Sequence, residues 1–373
     1  MSVRQGKDGA GLPISRIETI STGAVDPNKV GYAGLVEKDC RQWLLQPGDI
    51  LFSHINSVDH VGKCAVYRGV PDRLVHGMNL LCLRCAPEQL EPEFAKFLIR
   101  CSAFRVRLAS FVNRAVNQAS VSIGNLRTIP VEVPTLSEQR RIAEVLDRAE
   151  TLRAQRRQAL AQLDALAESI FLDMFGEPLI NPKVWPLSKL SMLGTLDRGV
   201  SKHRPRNEPT LLGGPHPLVQ TGDVANCDRY IRTFTATYSD AGLRQSRKWP
   251  AGTLCITIAA NIAKTGVLSF DACFPDSVVG FTPGELATIE YVQTWLSFLQ
   301  KMLEDSAPES AQKNINLAIL RDLDVPLPPI ELQRRYSERL AMIEQMKATQ
   351  RLASEQLDAL FASLQHRAFR GEL

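Results

Sequence analysis

Two stretches of the chain carry apolar residues at alternating three- and four-residue spacing, with no glycine or proline inside. In the first, from about Leu136 to Phe175, these positions are Ile142, Leu146, Ala149, Leu160, Leu163, Ala167, Ile170 and Met174. In the second they are Tyr336, Leu340, Ile343, Leu357, Leu360, Leu364 and Ala368. This is the spacing of a coiled-coil seam, and the Ala, Leu, Glu, Gln and Arg around it are good helix formers. Ser137 is placed to cap the first helix. Gly176 and Pro178 supply its stop signals, and Arg370-Gly371 ends the second. Each helix is expected to run about 40 residues, roughly 60 Å at the α-helical rise. A helix of that length with one apolar stripe must bury the stripe, and the other helix is the obvious partner. Both seams turn polar at the same depth, at Arg153 and Arg156 in one and Lys347 and Gln350 in the other. Polar seam residues cost stability but fix register; the alternative is that these are surface positions one step off the seam.

The helices belong to an internal repeat. Val133-Pro134, Gln139-Arg140-Arg141 and Leu163-Asp164-Ala165-Leu166 recur as Leu327-Pro328, Gln333-Arg334-Arg335 and Leu357-Asp358-Ala359-Leu360. The shift is constant at roughly 194 residues, far too long a period for a solenoid. It implies two copies of a whole module, related by a pseudo-twofold axis that makes the helices antiparallel.

Ahead of each helix the periodicity shortens to strands and turns. Pro47-Gly48-Asp49-Ile50-Leu51-Phe52-Ser53 matches Ala251-Gly252-Thr253-Leu254-Cys255-Ile256-Thr257, Gly62 matches Gly266, and Pro13-Ile14 matches Pro217-Leu218. All sit at one offset of roughly 204 residues, with a glycine turn leading into an apolar strand. Glu91 to Leu98 and Ile289 to Leu296 each read as a helix with an apolar face. The expected fold class is therefore α/β (α+β): two globular domains, each followed by a long helix, the helices forming an antiparallel coiled coil. The expected divisions are 1–134, 135–178, 179–328 and 329–373. The polar loops differ between copies, as in His54 to His60 against Ile258 to Lys264. A repeated scaffold with unlike loops suggests two readers for two different targets.

Composition narrows the class. Hydrophobic residues make up 44% and charged residues 23% of the 373, the balance of a soluble globular protein. The first residues lack an apolar signal core and no run is long enough to span a membrane, so a cytoplasmic location is expected. Eight cysteines show no framework spacing. The one close pair, Cys82 and Cys85, lies in a strand-like segment with no second pair or histidines at zinc-site spacing. Free thiols are expected, with no metal and no cofactor. The net charge of +4 is mild, so any nucleic-acid surface must be local; Ser201-Lys202-His203-Arg204-Pro205-Arg206 is the densest basic stretch.

A proline, an apolar residue, Gln-Arg-Arg and a long helix with Leu-Asp-Ala-Leu resemble the repeated regions of Type I restriction-modification specificity subunits. The residues are Pro134-Thr135-Leu136-Ser137-Glu138-Gln139-Arg140-Arg141-Ile142, the terminal Phe369-Arg370-Gly371-Glu372-Leu373, Trp185-Pro186-Leu187-Ser188-Lys189-Leu190 and Val219-Gln220-Thr221-Gly222-Asp223-Val224. The resemblance covers nearly the whole chain. It implies a non-catalytic subunit whose two target-recognition domains each read half of a bipartite double-stranded DNA site. It also implies that the two helices act as a ruler for the spacer and dock two adenine-methylating M subunits, with ATP-dependent R subunits joining through the complex. The first copy departs from the pattern: the counterpart of Trp185 to Arg204 is missing, which reads as a shortened recognition domain or a misassigned start codon.

Arg198, Lys202, His203, Arg204 and Arg206 follow the strand-like segment Leu190 to Leu196 and suit phosphate contacts; the alternative is a solvated charge run. Base edges call for bidentate groups. Gln220, Asn261, Lys264, Gln312 and Asn314 fit in the second copy, and Arg16, Asn56, Lys63, Arg114, Asn117 and Gln118 in the first. Any of these could instead be a surface or turn residue, and Gln118 and Gln312 could cap a helix–strand junction. Asp49 after Gly48 reads as turn chemistry. A stand-alone enzyme is disfavoured: Asn181-Pro182-Lys183 is not a methyltransferase motif, no carboxylate cluster suits a nuclease, and Val61-Gly62-Lys63-Cys64 is not a phosphate loop. A coiled-coil scaffold, or a DNA-binding protein without a methyltransferase partner, is the rival reading.

Overall fold

Both long helices form. They span Leu136–Phe175 and Ile330–Ala368 in the computed structural model, which describes residues 5–6, 9–57, 60–115, 118–258, 263–305 and 316–373. The first begins one residue ahead of the expected cap. The capping hydroxyl is that of Thr135, not Ser137, and accepts from the Glu138 N–H at 3.4 Å. Gly176 ends that helix at φ +80°, a conformation that costs glycine nothing.

The chain divides into two units, Met1–Gln158 with Arg351–Leu373, and Ala159–Gln350. Within the first unit, Ile142, Ala143, Leu146 and Ala149 pack with Phe361 and Ala368. Arg141 donates to the Leu373 carbonyl and Arg153 reaches Asp358, so the two helical segments run antiparallel. Within the second unit, Ala167, Phe171, Met174 and Phe175 pack with Tyr336, Leu340 and Ile343, and Asp164 meets Lys347. The direction is again antiparallel. The seam departs from expectation at one place: Leu360 is exposed and Phe361 is buried. Two of the four polar seam positions, Arg153 and Lys347, face the opposite helix. Arg153 bonds Asp358 at 2.5 Å, and Lys347 bonds Asp164 at 2.6 Å. Lys347 is residue 153 shifted by the helix offset, and Asp358 is residue 164 shifted likewise. The same bond is thus made twice, once in each unit; Arg156 is exposed.

In the first unit the strand Ile50–Phe52 is flanked by antiparallel Cys64–Val66 and Leu81–Leu83. In the second, Leu254–Thr257 lies between antiparallel Thr265–Leu268 and Val278–Pro283. Gly194–Arg198 and Tyr230–Ile231 extend that sheet to five strands among the described residues. All residues of both central strands are buried, which is why they read as apolar runs rather than as alternation. Gly48 and Gly252 both adopt positive φ, +99° and +84°. Ile14 bridges Val75 in parallel, as Leu218 pairs with Cys273.

One expected match does not hold. Ser53 exchanges backbone bonds with Lys63 and Gly62, while Thr257 exchanges the same bonds with Lys264 and Ala263. Gly62 therefore corresponds to Ala263, which shares its positive φ (+58° against +83°). Gly266 is a strand residue opposite Cys255, its α-carbon crowded by Cys227 and Ile231. The second copy's loop is shorter, so the offset drops across it. The helices Pro92–Arg100 and Ile289–Asp305 are entered through equivalent caps. Glu91 caps Phe94 as Thr288 caps Tyr291.

Candidate nucleic-acid interface

The basic stretch of the second unit is held in shape from behind. Gln245 Oε1 accepts from the backbone N–H groups of Lys202 and His203, at 2.7 and 3.0 Å. Ser246 Oγ donates to the Val200 carbonyl at 2.7 Å. Asp276 pairs with both Arg204 and Arg206, so one carboxylate orients two guanidiniums and leaves net positive charge. Arg198, Lys202, His203, Arg204 and Arg206 are all exposed. Two arginines that sequence reading missed stand at the same strand. Arg247 and Arg321 both pair with Asp197, and Arg247 stacks on Trp249 at 3.9 Å. They lie far apart in sequence, so no local pattern announces them.

The candidate base readers are more scattered. Gln220 is exposed, its N–H donating to Asp223 at 2.8 Å. Arg114 and Gln118 are exposed on the paired strands Asn113–Ala115 and Gln118–Ser120. Arg16 pairs with Glu18 at 3.1 Å. Asn56 is turned inward to its own loop, donating to Ser53 Oγ and accepting from the Ser57 N–H. Lys63 and Lys264, drawn from different motifs, occupy equivalent positions as described above. Lys63 lines a cavity of about 270 Å³ with Arg100 and Arg105. Asn117, Asn261, Gln312 and Asn314 lie outside the described residues.

Asp49 takes the turn role. It is buried, and its carboxylate accepts two bonds from Arg84 at 2.7 Å and one from the Gln46 N–H at 2.8 Å. Burial pushes its pKa up, but Arg84 and the Gln46 N–H outweigh that and hold it below the usual carboxylate range. Cys82 sits opposite Leu51 in the sheet. Burial pushes Cys82 and Cys85 up to about 11 and Cys64 up to about 12, so these remain thiols.

Beneath each globular part lies a mount that accounts for the Gln-Arg-Arg motif. Gln139 is 1% exposed and Gln333 is 0% exposed. Gln139 Nε2 donates to the carbonyls of Gln89 and Pro134, and its Oε1 accepts from the Glu91 N–H. Gln333 Nε2 donates to the carbonyls of Leu286 and Pro328, and its Oε1 accepts from the Thr288 N–H. A long helix is thus bonded to the proline ahead of it and to the start of the preceding helix by one amide, twice. Buried lysines reinforce both joints. Lys96 faces Glu93, Asp147 and Glu150, and Lys347 faces Asp164, Asp228 and Glu344.

The sequence matches the family described as Type I restriction modification DNA specificity domain, over residues 7–163 and again over 182–355. The chain belongs to this family. It is a specificity subunit and not a catalytic one. A Methanocaldococcus jannaschii protein provisionally named type I restriction enzyme MjaX specificity subunit is 27% identical over 366 residues. That match covers 96% of this specificity subunit and 86% of the relative. The type I restriction enzyme EcoKI specificity subunit of Escherichia coli is 27% identical over 181 residues, 47% of this chain and 39% of that one. Two solved structures share the fold. A chain from a type I R-M system structure has TM-score 0.56 at 20% identity, covering 97% of this chain and 92% of that one. The Type-I restriction-modification S subunit from M. genitalium has TM-score 0.54 at 13% identity, covering 86% and 83%. Among the described residues of this specificity subunit, no helix is long and apolar enough to cross a membrane.

Proposed function

We propose that this specificity subunit reads a bipartite, asymmetric site in double-stranded DNA. Residues 1–134 and 179–328 are the two target-recognition domains, and 135–178 and 329–373 the spacer helices. The observation that carries this reading is the pairing of repeated mounts with unlike loops: the same glutamine joint holds two globular parts whose polar loops differ. Unlike readers on a repeated mount recognise unlike half-sites. In the second domain, Arg198, Lys202, His203, Arg204 and Arg206 supply phosphate contacts, and Gln220, Asn261, Lys264, Gln312 and Asn314 reach base edges. In the first, Arg16, Lys63, Arg114, Asn117 and Gln118 take that part, while Asn56 holds its own loop. The helix pair sets the spacer between half-sites, expected near one turn of duplex, roughly 34 Å. It also docks two M subunits, with R subunits joining through the complex in the cytoplasm.

Mapping methyladenine in cells with and without this chain, its M partner present and active, tests the reading. The expected result is an interrupted, asymmetric motif methylated only when the chain is present. An unchanged methylome sinks it.

A further inference from the structure

In the first unit, three cationic side chains converge on one pocket of about 270 Å³. Lys63, Arg100 and Arg105 line it together with Ser21, Thr22 and Gly23. Each cation is anchored in a way that leaves further donors over. Lys63 Nζ donates to the Ser21 carbonyl at 3.4 Å, and Arg105 Nη1 to the Val61 carbonyl at 2.7 Å. Arg100 Nη2 pairs with Glu150 at 2.7 Å, while its Nη1 is buried without a hydrogen-bond partner among the described residues. A guanidinium carries five N–H donors, so one anchor uses up only a part of each. Among the described residues, Glu150 is the one carboxylate paired with any of the three, and it is shared with Lys96. The pocket is left with net positive charge.

The fold does not require these charges. Counted from the equivalent caps Glu91 and Thr288, Arg100 corresponds to Ser297, whose hydroxyl donates to the Thr294 carbonyl of its own helix. Gly62 corresponds to Ala263. At Gly62 a β-carbon would collide with the Arg105 guanidinium, so the glycine makes the space in which Arg105 reaches the Val61 carbonyl. The second unit builds the same helix start and the same turn with a hydroxyl and a methyl. A buried polar group without a partner needs a reason beyond the frame. The pocket also belongs to the loop that carries the candidate readers. Ser53 exchanges backbone bonds with Gly62 and Lys63. The chain leaving Ser53 enters the strand Ile55–Asn56, which pairs with Gln118–Ser120 and through it with Asn113–Ala115. Arg114 and Gln118 thus stand on the sheet rooted at the same loop.

We propose that this pocket seats one oxyanion, a phosphate of the DNA backbone, with Arg100 and Arg105 as its donors and Lys63 beside them. The proposal rests on the reading of residues 1–134 as a recognition domain. Guanidinium groups suit phosphate because their planar N–H forks meet two oxygens at once. A phosphate contact carries no sequence information but fixes register on the duplex. Arg100 and Arg105 are therefore positioning residues, setting where the sheet that bears Arg114 and Gln118 lies on the DNA. Through Glu150, Arg100 also ties the seat to the long helix that begins at Leu136.

Duplex binding by the full chain in complex with its M partner, followed by fluorescence anisotropy over a series of salt concentrations, is the test. Arg100→Gln and Arg105→Gln each keep a donor for the anchor. Each should weaken a duplex by about five- to tenfold at low salt, alike for every sequence, and flatten the logarithmic salt slope by about one. Arg100→Lys and Arg105→Lys keep the charge and should keep the slope. Arg73→Gln, which removes an exposed arginine paired with Glu37 outside the pocket, should leave the slope unchanged. Slopes unchanged in both pocket glutamine variants, or flattened as much by Arg73→Gln, overturn the seat while duplex binding by the unaltered complex leaves the DNA reading standing. An unaltered complex that binds no duplex sinks that reading and the seat with it. Inorganic phosphate at constant ionic strength separates the two sources of the anion. It should slow amide exchange at Thr22 and Gly23 only until duplex displaces it. Protection by phosphate that saturating duplex leaves in place assigns the pocket to a free anion and overturns the proposal.

Discussion

The two units share their joints and differ in what surrounds them. Gln139 and Gln333 make the same three bonds to equivalent partners. Arg153–Asp358 and Lys347–Asp164 are one ion pair drawn twice. Around those joints, one unit has Arg100 and Gly62 where the other has Ser297 and Ala263, and one turn uses a carboxylate where the other uses a hydroxyl. The joint between a globular part and its helix is therefore separable from the loops it carries. A subunit that presents different readers on one frame needs that separation, because loops then change without moving the frame.

The buried amides give the strongest way to break this likeness. Gln333→Ala strands the Thr288 N–H and the carbonyls of Leu286 and Pro328, and each buried unsatisfied group costs about 1–3 kcal/mol. The bond to Pro328 is buried, whereas the one to Pro134 is only partly so, and Pro134 lines an open groove beside residues 131–133. Gln333→Ala is expected to cost about 3 kcal/mol and Gln139→Ala about half as much. Hydrogen exchange resolved by segment reads each unit separately. Equal losses would mean that the open groove does not loosen the first joint.

A smaller and pH-dependent difference lies in the turns. Asp49, bonded to Arg84, occupies the position that Thr253 holds in the second unit, where Thr253 Oγ1 donates to the Pro250 carbonyl at 2.8 Å. The Asp49 carboxyl has a lowered folded-state pKa. Its contribution is thus fully present above the ordinary aspartate value of about 4 and is lost as pH falls through the lowered folded value. Arg84 is half exposed, so solvent screening limits Arg84→Met to roughly 1–2 kcal/mol near neutral pH. That cost should shrink as pH falls below the carboxylate range, while the cost of Thr253→Val should not change. Urea midpoints at neutral and acid pH check the contrast, and parallel behaviour of the two variants would refute it.

How much of this was legible follows from which signals are local. The long helices were, because apolar spacing over 40 residues is a redundant signal. The central strands were, from glycine turns and buried apolar runs at Ile50–Phe52 and Leu254–Thr257. Leu360 and Phe361 are adjacent apolar residues, and only packing decides that Phe361 is the buried one. Residue type pairs Gly62 with Gly266, whereas the backbone pairs it with Ala263, since positive φ is visible only in the fold. Gln139 and Gln333 are visible as a motif, yet two of the three partners of each lie about 50 residues upstream. The pair joining Arg247 to Asp197 spans a similar separation, and the one joining Arg321 to Asp197 a longer one. Signals of that kind exist only once the chain has folded.

The finest distinction concerns the repeated ion pair. Asp164 and Asp358 are both about half exposed, a setting in which a salt bridge contributes about 0.2–1 kcal/mol. Lys347 keeps Asp228 at 2.8 Å and Glu344 at 3.1 Å when Asp164 is neutralised. Arg153 keeps only its stacking on Phe361, 4.5 Å from the ring, among the described residues. Asp358→Asn is therefore expected to cost up to about 1 kcal/mol and Asp164→Asn a few tenths, with both effects fading in high salt. Denaturant midpoints at low and high ionic strength measure both. If Asp164→Asn proves the costlier, Lys347 depends on the opposite helix rather than on its own carboxylate cluster. The pair then fixes helix register in the second unit more firmly than in the first.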